Sequence, residues 1–506
     1  MEPNLNGIVA ATLAFSWVVH VWNLYLTRRQ IRLISDSRDV PKEVKSVYDQ
    51  KTFEKAQPYQ LDKNRFSCWH ELYSQLLLTA VLVMNVLPYS WQWTGRVALY
   101  FGLDEDYEIS VSVLWLFFMS IFNTIADLPW TVYCVFVIEE RHGFNKQTPG
   151  FFAKDQLKKF VVGQCIVLPI MATLIYIISW GGDYFFVYAW IFCCVISLVL
   201  VTIYADFIAP LFDKFTPLPE GDLRTAIEEL AQKLSFPLKK LYVVENSKRS
   251  THSNAYFYGF FNNKRIVLFD TLLEKGVIPK DDAKSETKQE EKISETDNGV
   301  EVKSGETKEQ IEAKSVDGEA EADDKSVQGD EQRSEVNCER QDSSDTAHQR
   351  VGCNTEEILA VLSHELGHWK YSHVLKQIII AQANLFICLA AFGILMNQRL
   401  LFEAFGFTAE VQPIIIRLIV IFQFVFQPYN EVLDFLMTQL TRRFEFQADR
   451  FAHQLSQAEP LMSALMKLNK DNLGFPIADP WYAAFHHSHP SLVERLQALT
   501  GKVKEN

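Results

Sequence analysis

None of the eight cysteines stands in a C-x-x-C pair. That argues against a zinc ribbon or a secreted disulfide scaffold, and free, buried thiols are the expectation. A long uninterrupted acidic or basic surface is also missing, although the formal charge is −13. Residues 281–350 hold 22 Asp and Glu against 10 Lys and Arg, so they account for −12 of it. The acidic balance belongs to that segment and says nothing about a partner surface elsewhere; no nucleic-acid partner is expected. The same segment has no Phe, Trp or Tyr. Such a stretch buries too little apolar area to offset the entropy of ordering it, so a disordered insert is expected across 277–353. No repeat period is visible. The first apolar stretch lacks a basic leader and a small-residue cleavage site, and reads as a membrane span instead of a cleavable signal.

What the chain has is apolar length. Phe alone numbers 37 in 506 residues, and 48% are apolar; the mean hydropathy of −0.02 hides this because the polar segment pulls it down. Seven stretches, 7–26, 72–91, 111–138, 161–180, 184–208, 378–395 and 411–437, are long enough to cross a hydrocarbon core of about 30 Å. His20, Asp127, Pro129, Pro169 and Asp206 fall inside them. Singly, each is explained by an interhelical hydrogen bond; together they suggest a hydrated interior. Arg28, Arg29 and Arg32 follow the first span, and Arg141, Lys146 and Lys154 follow the third. Between spans two and three stand Asp104, Glu105, Asp106 and Glu108 against Arg96 alone. The positive-inside bias then puts the N terminus in the lumen and the C terminus in the cytosol, together with everything from 213 to 376.

Within that cytosolic part, residues 223–234 have helical spacing and "LKKLYVVE" reads as a strand. "NAYFYGFFNNKRIVLFD" reads as two strands around Asn262-Asn263. Asn354 and Glu357 then match a capping box, so a helix is expected from Thr355, with Ile358, Leu359 and Leu362 as its apolar face. On it, His364 and His368 are four apart and leave the same face. Two neutral imidazoles so placed can hold one Zn²⁺, with Glu365 next to the water that the ion activates. Glu365 can take a proton from that water as it attacks a peptide carbonyl and pass it to the leaving amine. Surface histidines on a helix are the plainer reading of the same three positions.

A third ligand must come from another helix, and "TRRFEFQADRFA" offers one. Glu445 and Asp449 share a face there, one as ligand and the other as acceptor for an imidazole N–H. A solvated helix with exposed ion pairs is the alternative. His373 lies one residue off the ligand face and reads as a surface group or a neighbour of the ligands. "HHSHPSLVERLQAL" adds His486, His487, His489 and Arg495, with Pro490 opening a helix.

"FVIEERHGFN", "HSNAYFYGFFNNKRIVLFDTLL", "VLSHELGHW", "RRFEFQAD" and "SHPSLVERLQAL" follow one another in this order. Together they resemble the CAAX prenyl protease type 1 family, integral membrane zinc metalloendopeptidases of the endoplasmic reticulum and nuclear envelope. The resemblance implies one Zn²⁺ per chain on His364, His368 and Glu445, with Glu365 as base. It places Asp449 beside the site as partner or proton donor. It also implies that Asn254, on a strand edge, meets the substrate backbone, and that His489 and Arg495 contact the peptide or the developing oxyanion. The family reaction removes the last three residues of a prenylated Cys-a-a-X terminus, and the family fold encloses a water-filled chamber. The acidic insert is the departure from the family pattern. A K-x-K-x-x ending, Lys502 to Asn506, resembles an endoplasmic-reticulum retrieval signal.

The expected architecture is mainly α: a polytopic membrane protein with about seven transmembrane helices around a chamber, plus a small α+β gluzincin-like protease region. Its expected parts are spans 1–5 in 1–212, the α+β unit in 213–276, the insert, the zinc helix in 354–376, spans 6–7 in 377–437 and a catalytic segment in 438–506. The expected partners are prenylated CAAX termini and the lipid bilayer. The expected place is the endoplasmic-reticulum membrane, with the inner nuclear membrane as a second. A broad quality-control metalloprotease is one alternative. A non-catalytic scaffold with structural zinc is another, although such a site has no need of Glu365.

Overall fold

The apolar stretches fold as long helices. The computed structural model describes residues 3–103, 108–245, 250, 252–259, 264–274 and 352–501; nearly all of the expected insert, the acidic loop at 104–106 and the K-x-K-x-x ending lie outside these. Five helices are long and apolar enough to cross a membrane: Gly7–Asp36, Glu108–Glu139, Pro149–Trp180, Gly182–Ile203 and His373–Leu395. The two remaining expected spans are bent pairs, Gln50–Val83 with Val86–Tyr100 at 68° and Ile414–Val425 with Gln427–Gln454 at 60°. The count reaches seven with each pair taken as one span, but neither 72–91 nor 411–437 is a single straight helix. At the first break Asn85 is left-handed, φ 53, a conformation asparagine tolerates better than most residues. At the second, the turn Val420–Val425 is π-wound, and Pro428 opens the next helix without the N–H a continuing helix needs.

Polar groups inside the spans are partly paired as expected. Ser16 Oγ donates to Gln75 Oε1 at 3.0 Å, and Trp17 Nε1 to Thr79 Oγ1 at 3.2 Å. His70 and Asp127, by contrast, pair at 2.8 Å in the open, with side chains 36% and 55% exposed. The seven described cysteines are free, but only Cys353 and Cys388 are buried; Cys165 is exposed on the helix Pro149–Trp180. The expectation of buried thiols therefore holds for two of them. An exposed face on a membrane helix is apolar surroundings enough for a thiol.

The α+β unit contains a four-stranded sheet: β1 (Phe215–Pro217), β2 (Leu238–Val244), β3 (Ala255–Tyr258) and β4 (Lys264–Phe269), in the order β1-β2-β4-β3. β3 and β4 are the expected antiparallel pair, Ala255 opposite Leu268. β2 runs parallel to β4, a pairing that strand alternation does not announce. β3 is left at the sheet edge, so one row of its backbone groups faces away from any described strand. Leu273 bridges Cys353 in parallel, with the Cys353 N–H donating to the Leu272 carbonyl at 2.8 Å. Residues 352 and 353 are therefore ordered parts of the fold, and the expected insert ends before them.

The helix Thr355–Lys370 begins with the expected capping box: Glu357 N–H donates to Asn354 Oδ1 at 3.0 Å, and Asn354 N–H to Glu357 Oε2 at 2.9 Å. Its residues Ile358, Leu362 and Leu366 share a core with Ile266 and Leu268 of the sheet and with Phe451 and Leu461. A turn at Tyr371–Ser372 separates it from His373–Leu395, so 354–376 is not one helix. Glu445 lies on Gln427–Gln454, a continuous helix of 28 residues, so an expected boundary at 437 falls inside it. The last helix starts at Leu492, two residues beyond Pro490, with Ser491 and Glu494 as its capping box.

Thr355–Lys370 and Gln427–Gln454 cross at Gly367. A Cβ there would lie 3.0 Å from Ala448 Cα and 3.2 Å from Phe451 Cβ. Backbone touches backbone, and only glycine permits it without displacement. Gly367→Val is therefore expected to cost about 1–3 kcal/mol of stability, read by thermal unfolding in detergent. Gly163→Ala, where a Cβ meets nothing within 4 Å, serves as control and should melt like the parent. Equal melting of the two variants would contradict the crossing.

Candidate active site

The crossing brings two helix faces together. His364 and His368 leave one, Glu445 and Asp449 the other. The Nε2 atoms of His364 and His368 are 3.2 Å apart. Glu445 Oε2 stands 3.5 Å from the first and Oε1 3.4 Å from the second. One ligand atom from each residue falls within a 4.8 Å group. Bonds of about 2.0–2.1 Å in a tetrahedral set require donors about 3.3 Å apart, close to the 3.2 Å between the two nitrogens and the 3.5 and 3.4 Å from each to one of the two Glu445 oxygens. Glu445 Oε2 is buried without a hydrogen-bond partner. A carboxylate oxygen in that state is costly unless a cation satisfies it. The donor set, its spacing and the orphaned oxygen all fit a divalent metal ion.

Behind the triangle, His364 Nδ1 is 2.8 Å from Asp449 Oδ1. Arg495, buried at 9% exposure, forks onto the same carboxylate: Nε donates to Oδ2 at 2.9 Å and Nη2 to Oδ1 at 2.6 Å. Bidentate pairs of this kind are strong and directional. Both Asp449 oxygens thus face nitrogen donors. Arg495 Nη1 lies 3.9 Å from Glu445 Oε2.

A cavity of about 430 Å³ opens onto these groups. Its wall includes His364, Glu365, His368, Glu445, His489 and Arg495, and Asn254 closes it from the sheet. Asp449 is the one sequence-derived candidate outside the wall. Asn254 is exposed just ahead of the edge strand β3, and its Oδ1 accepts the Ala255 N–H at 2.8 Å. His489 is 65% exposed, with Nε2 3.4 Å from Glu445 Oε1. His486 and His487, from the same cluster, do not reach the cavity wall.

The electrostatics separate the three motif residues. Burial and the Arg495 charge oppose a proton on His364, but the Asp449 and Glu445 carboxylates outweigh both and push its pKa up to about 9. Burial and the neighbouring His364 push His368 down to about 4. Burial lifts the Glu365 carboxyl above its ordinary range, with Glu445 adding to the effect. A carboxyl raised by burial and facing a cavity is placed to exchange a proton with a bound group.

Two residues emerge that sequence spacing alone does not single out, Gly367 and Gln447. Gly367 is the crossing point. His373 is buried, not on the surface, and sits against His368 with Gln447 on its far side. The break after Lys370 turns it back toward the ligands, and no residue pattern signals that turn.

Comparison with known proteins follows the same division. Residues 30–214 match a family model described as CAAX prenyl protease N-terminal, five membrane helices, and residues 217–503 match peptidase family M48. A human CAAX prenyl protease 1 homolog is 50% identical over 98% of this chain and 96% of its own length. The Caenorhabditis elegans homolog is 41% identical over 97% of this chain and 96% of its own. The crystal structure of S. mikatae Ste24p superposes with a TM-score of 0.75 at 29% identity, covering 99% of both chains. Both halves of the chain are thus matched, in order. The chain belongs to the CAAX prenyl protease type 1 family within peptidase family M48, and is a multi-pass membrane metalloprotease.

Proposed function

We propose that the cavity holds one Zn²⁺ on His364, His368 and Glu445 and cleaves prenylated Cys-a-a-X termini after the cysteine, releasing the last three residues. The observation that carries this is the two-nitrogen, one-oxygen triangle beside Glu365. The substrate class rests on relatives named CAAX prenyl protease at half identity. A bound zinc ion supplies Lewis acidity, which lowers the pKa of water and polarises a carbonyl. Glu365 accepts the proton of the attacking water and returns it to the leaving amine. β3 offers its open edge to an extended peptide, and Asn254, its oxygen already engaged with Ala255, has its N–H₂ for the substrate backbone. His489, exposed at the cavity and close to Glu445, donates to the oxygen that becomes charged. Arg495 holds Asp449 and, through it, His364, and its Nη1 lies 3.9 Å from Glu445 Oε2, where it can contact the peptide.

The setting is proposed on the same terms. Loop charges put the protease region on the cytosolic face of the endoplasmic-reticulum membrane, with the inner nuclear membrane as a second place. The five straight candidate spans are only 6–17% buried inside the protein, and Asp127 on one of them meets His70 of the bent pair at 2.8 Å with both side chains exposed. Polar groups within spans need water or protein around them, which favours a hydrated chamber.

Three outcomes follow. Purified protein in detergent should release the tripeptide from a farnesylated Cys-a-a-X peptide and not from its unprenylated twin, in a chelator-sensitive manner. Equal cleavage of both would favour a broad protease, and cleavage of neither a scaffold. Glu365→Gln should bind metal like the parent and lose about 10²–10⁴-fold in turnover, measured by peptide cleavage beside metal content. Metal loading should also be proton-linked. Below about pH 9 the metal-free protein carries a proton on His364, while His368 carries none above about pH 4. Coordination needs both neutral, so binding near pH 7 should release one proton, and affinity should rise about tenfold per pH unit up to about pH 9. Calorimetry in buffers of different ionisation enthalpy checks this, and an affinity flat across neutral pH contradicts it.

A further inference from the structure

A polar chain behind His368, with His373 buried at its centre, has no part in the mechanism above. His373 Nδ1 lies 3.0 Å from His368 Nδ1, and His373 Nε2 lies 2.9 Å from Gln447 Oε1. The His373 ring is stacked on Phe444 at 4.1 Å and 7°, with Tyr371 on its other side at 5.8 Å and 26°. On an unbroken helix, five residues at about 100° each would carry His373 about 140° away from the face of His368. The contact exists because the helix breaks at Tyr371–Ser372. Ser372 is held left-handed there, φ 54, a conformation unfavourable for any residue with a Cβ.

We infer that Gln447, His373 and His368 form a one-way hydrogen-bond relay that fixes the tautomer and aim of His368, which makes Gln447 and His373 positioning residues of the metal centre. The inference rests on the metal-binding reading given above. A carboxamide oxygen can only accept, and a neutral imidazole carries one N–H. With Oε1 of Gln447 facing His373, the proton of His373 is on Nε2, and its Nδ1 is bare. His368 must then donate from Nδ1. That leaves the lone pair of His368 Nε2 pointing at the His364 nitrogen and Glu445. The opposite direction would put a proton on His368 Nε2, where the metal must bind. The two histidine ligands are therefore held by different means: His364 by a carboxylate locked in the Arg495 fork, His368 by a neutral relay that ends on an exposed glutamine. Partners of this kind set both the orientation and the basicity of a ligating imidazole.

The test uses the full chain in detergent. The Zn²⁺ dissociation constant is measured by chelator competition, and the d–d absorption of the Co²⁺-loaded protein reports the ligand field. Gln447→Met removes the acceptor at nearly constant shape and should weaken Zn²⁺ binding about 10–100-fold with an altered Co²⁺ spectrum. Gln447→Glu keeps the acceptor and should hold Zn²⁺ at least as tightly as the parent. His373→Phe cuts the same relay, so the double variant with Gln447→Met should bind no more weakly than His373→Phe alone. Because Gln447 is exposed, its two variants carry the test even where His373→Phe does not fold. Zn²⁺ affinity in Gln447→Met within about threefold of the parent, or losses that add in the double variant, would overturn the relay. A parent protein that takes up no Zn²⁺ would instead overturn the metal-binding reading beneath it.

Discussion

The contact on which the site depends is the one between Gly367 and Ala448. Each helix contributes an incomplete set of donors: two imidazoles from one, one carboxylate from the other. Their separation is decided by how closely the two backbones approach, and at this crossing nothing but a hydrogen stands between them. A side chain at 367 would push Glu445 away from the Nε2 pair by a few tenths of an ångström or more. Donors at 3.2–3.5 Å tolerate little of that. The glycine within the H-E-x-x-H stretch is thus a structural term in the chemistry, although it carries no functional group.

Around this contact the fold supplies what a peptide and a lipid anchor need. The edge of β3 and the motif helix face the same cavity, so an extended segment can pair with backbone on one side and meet Glu365 on the other. The helix that carries Glu445 is the second arm of a bent span, and the helix that follows the motif is itself a candidate span. Both helices bearing the donors therefore run directly into the membrane part of the protein.

Much of this was legible in the residues. The capping box at Asn354 and Glu357, the i, i+4 histidines and the Glu445–Asp449 pair each express a local periodicity that the structure keeps. The membrane helices were legible from apolar length, because hydrocarbon demands it. The bends were not, since Asn85 and Pro428 are single residues whose effect depends on what packs behind them. The β2–β4 parallel pairing joins segments distant in sequence and leaves no local trace. His373 carried two readings, a surface group or a neighbour of the ligands, and the left-handed Ser372, which resets the helix angle, decides for the second. The Arg495–Asp449 fork joins residues 46 apart and leaves no local trace either.

The central claim is that three side chains from two crossing helices make one metal centre. Zinc-edge X-ray absorption on the loaded protein tests it most directly. The account predicts a first shell of about four light donors near 2.0 Å with the outer scattering of two imidazoles, and loss of the single-site spectrum in Glu445→Ala. A shell containing sulfur, one with a single imidazole, or a spectrum unchanged by Glu445→Ala would contradict it.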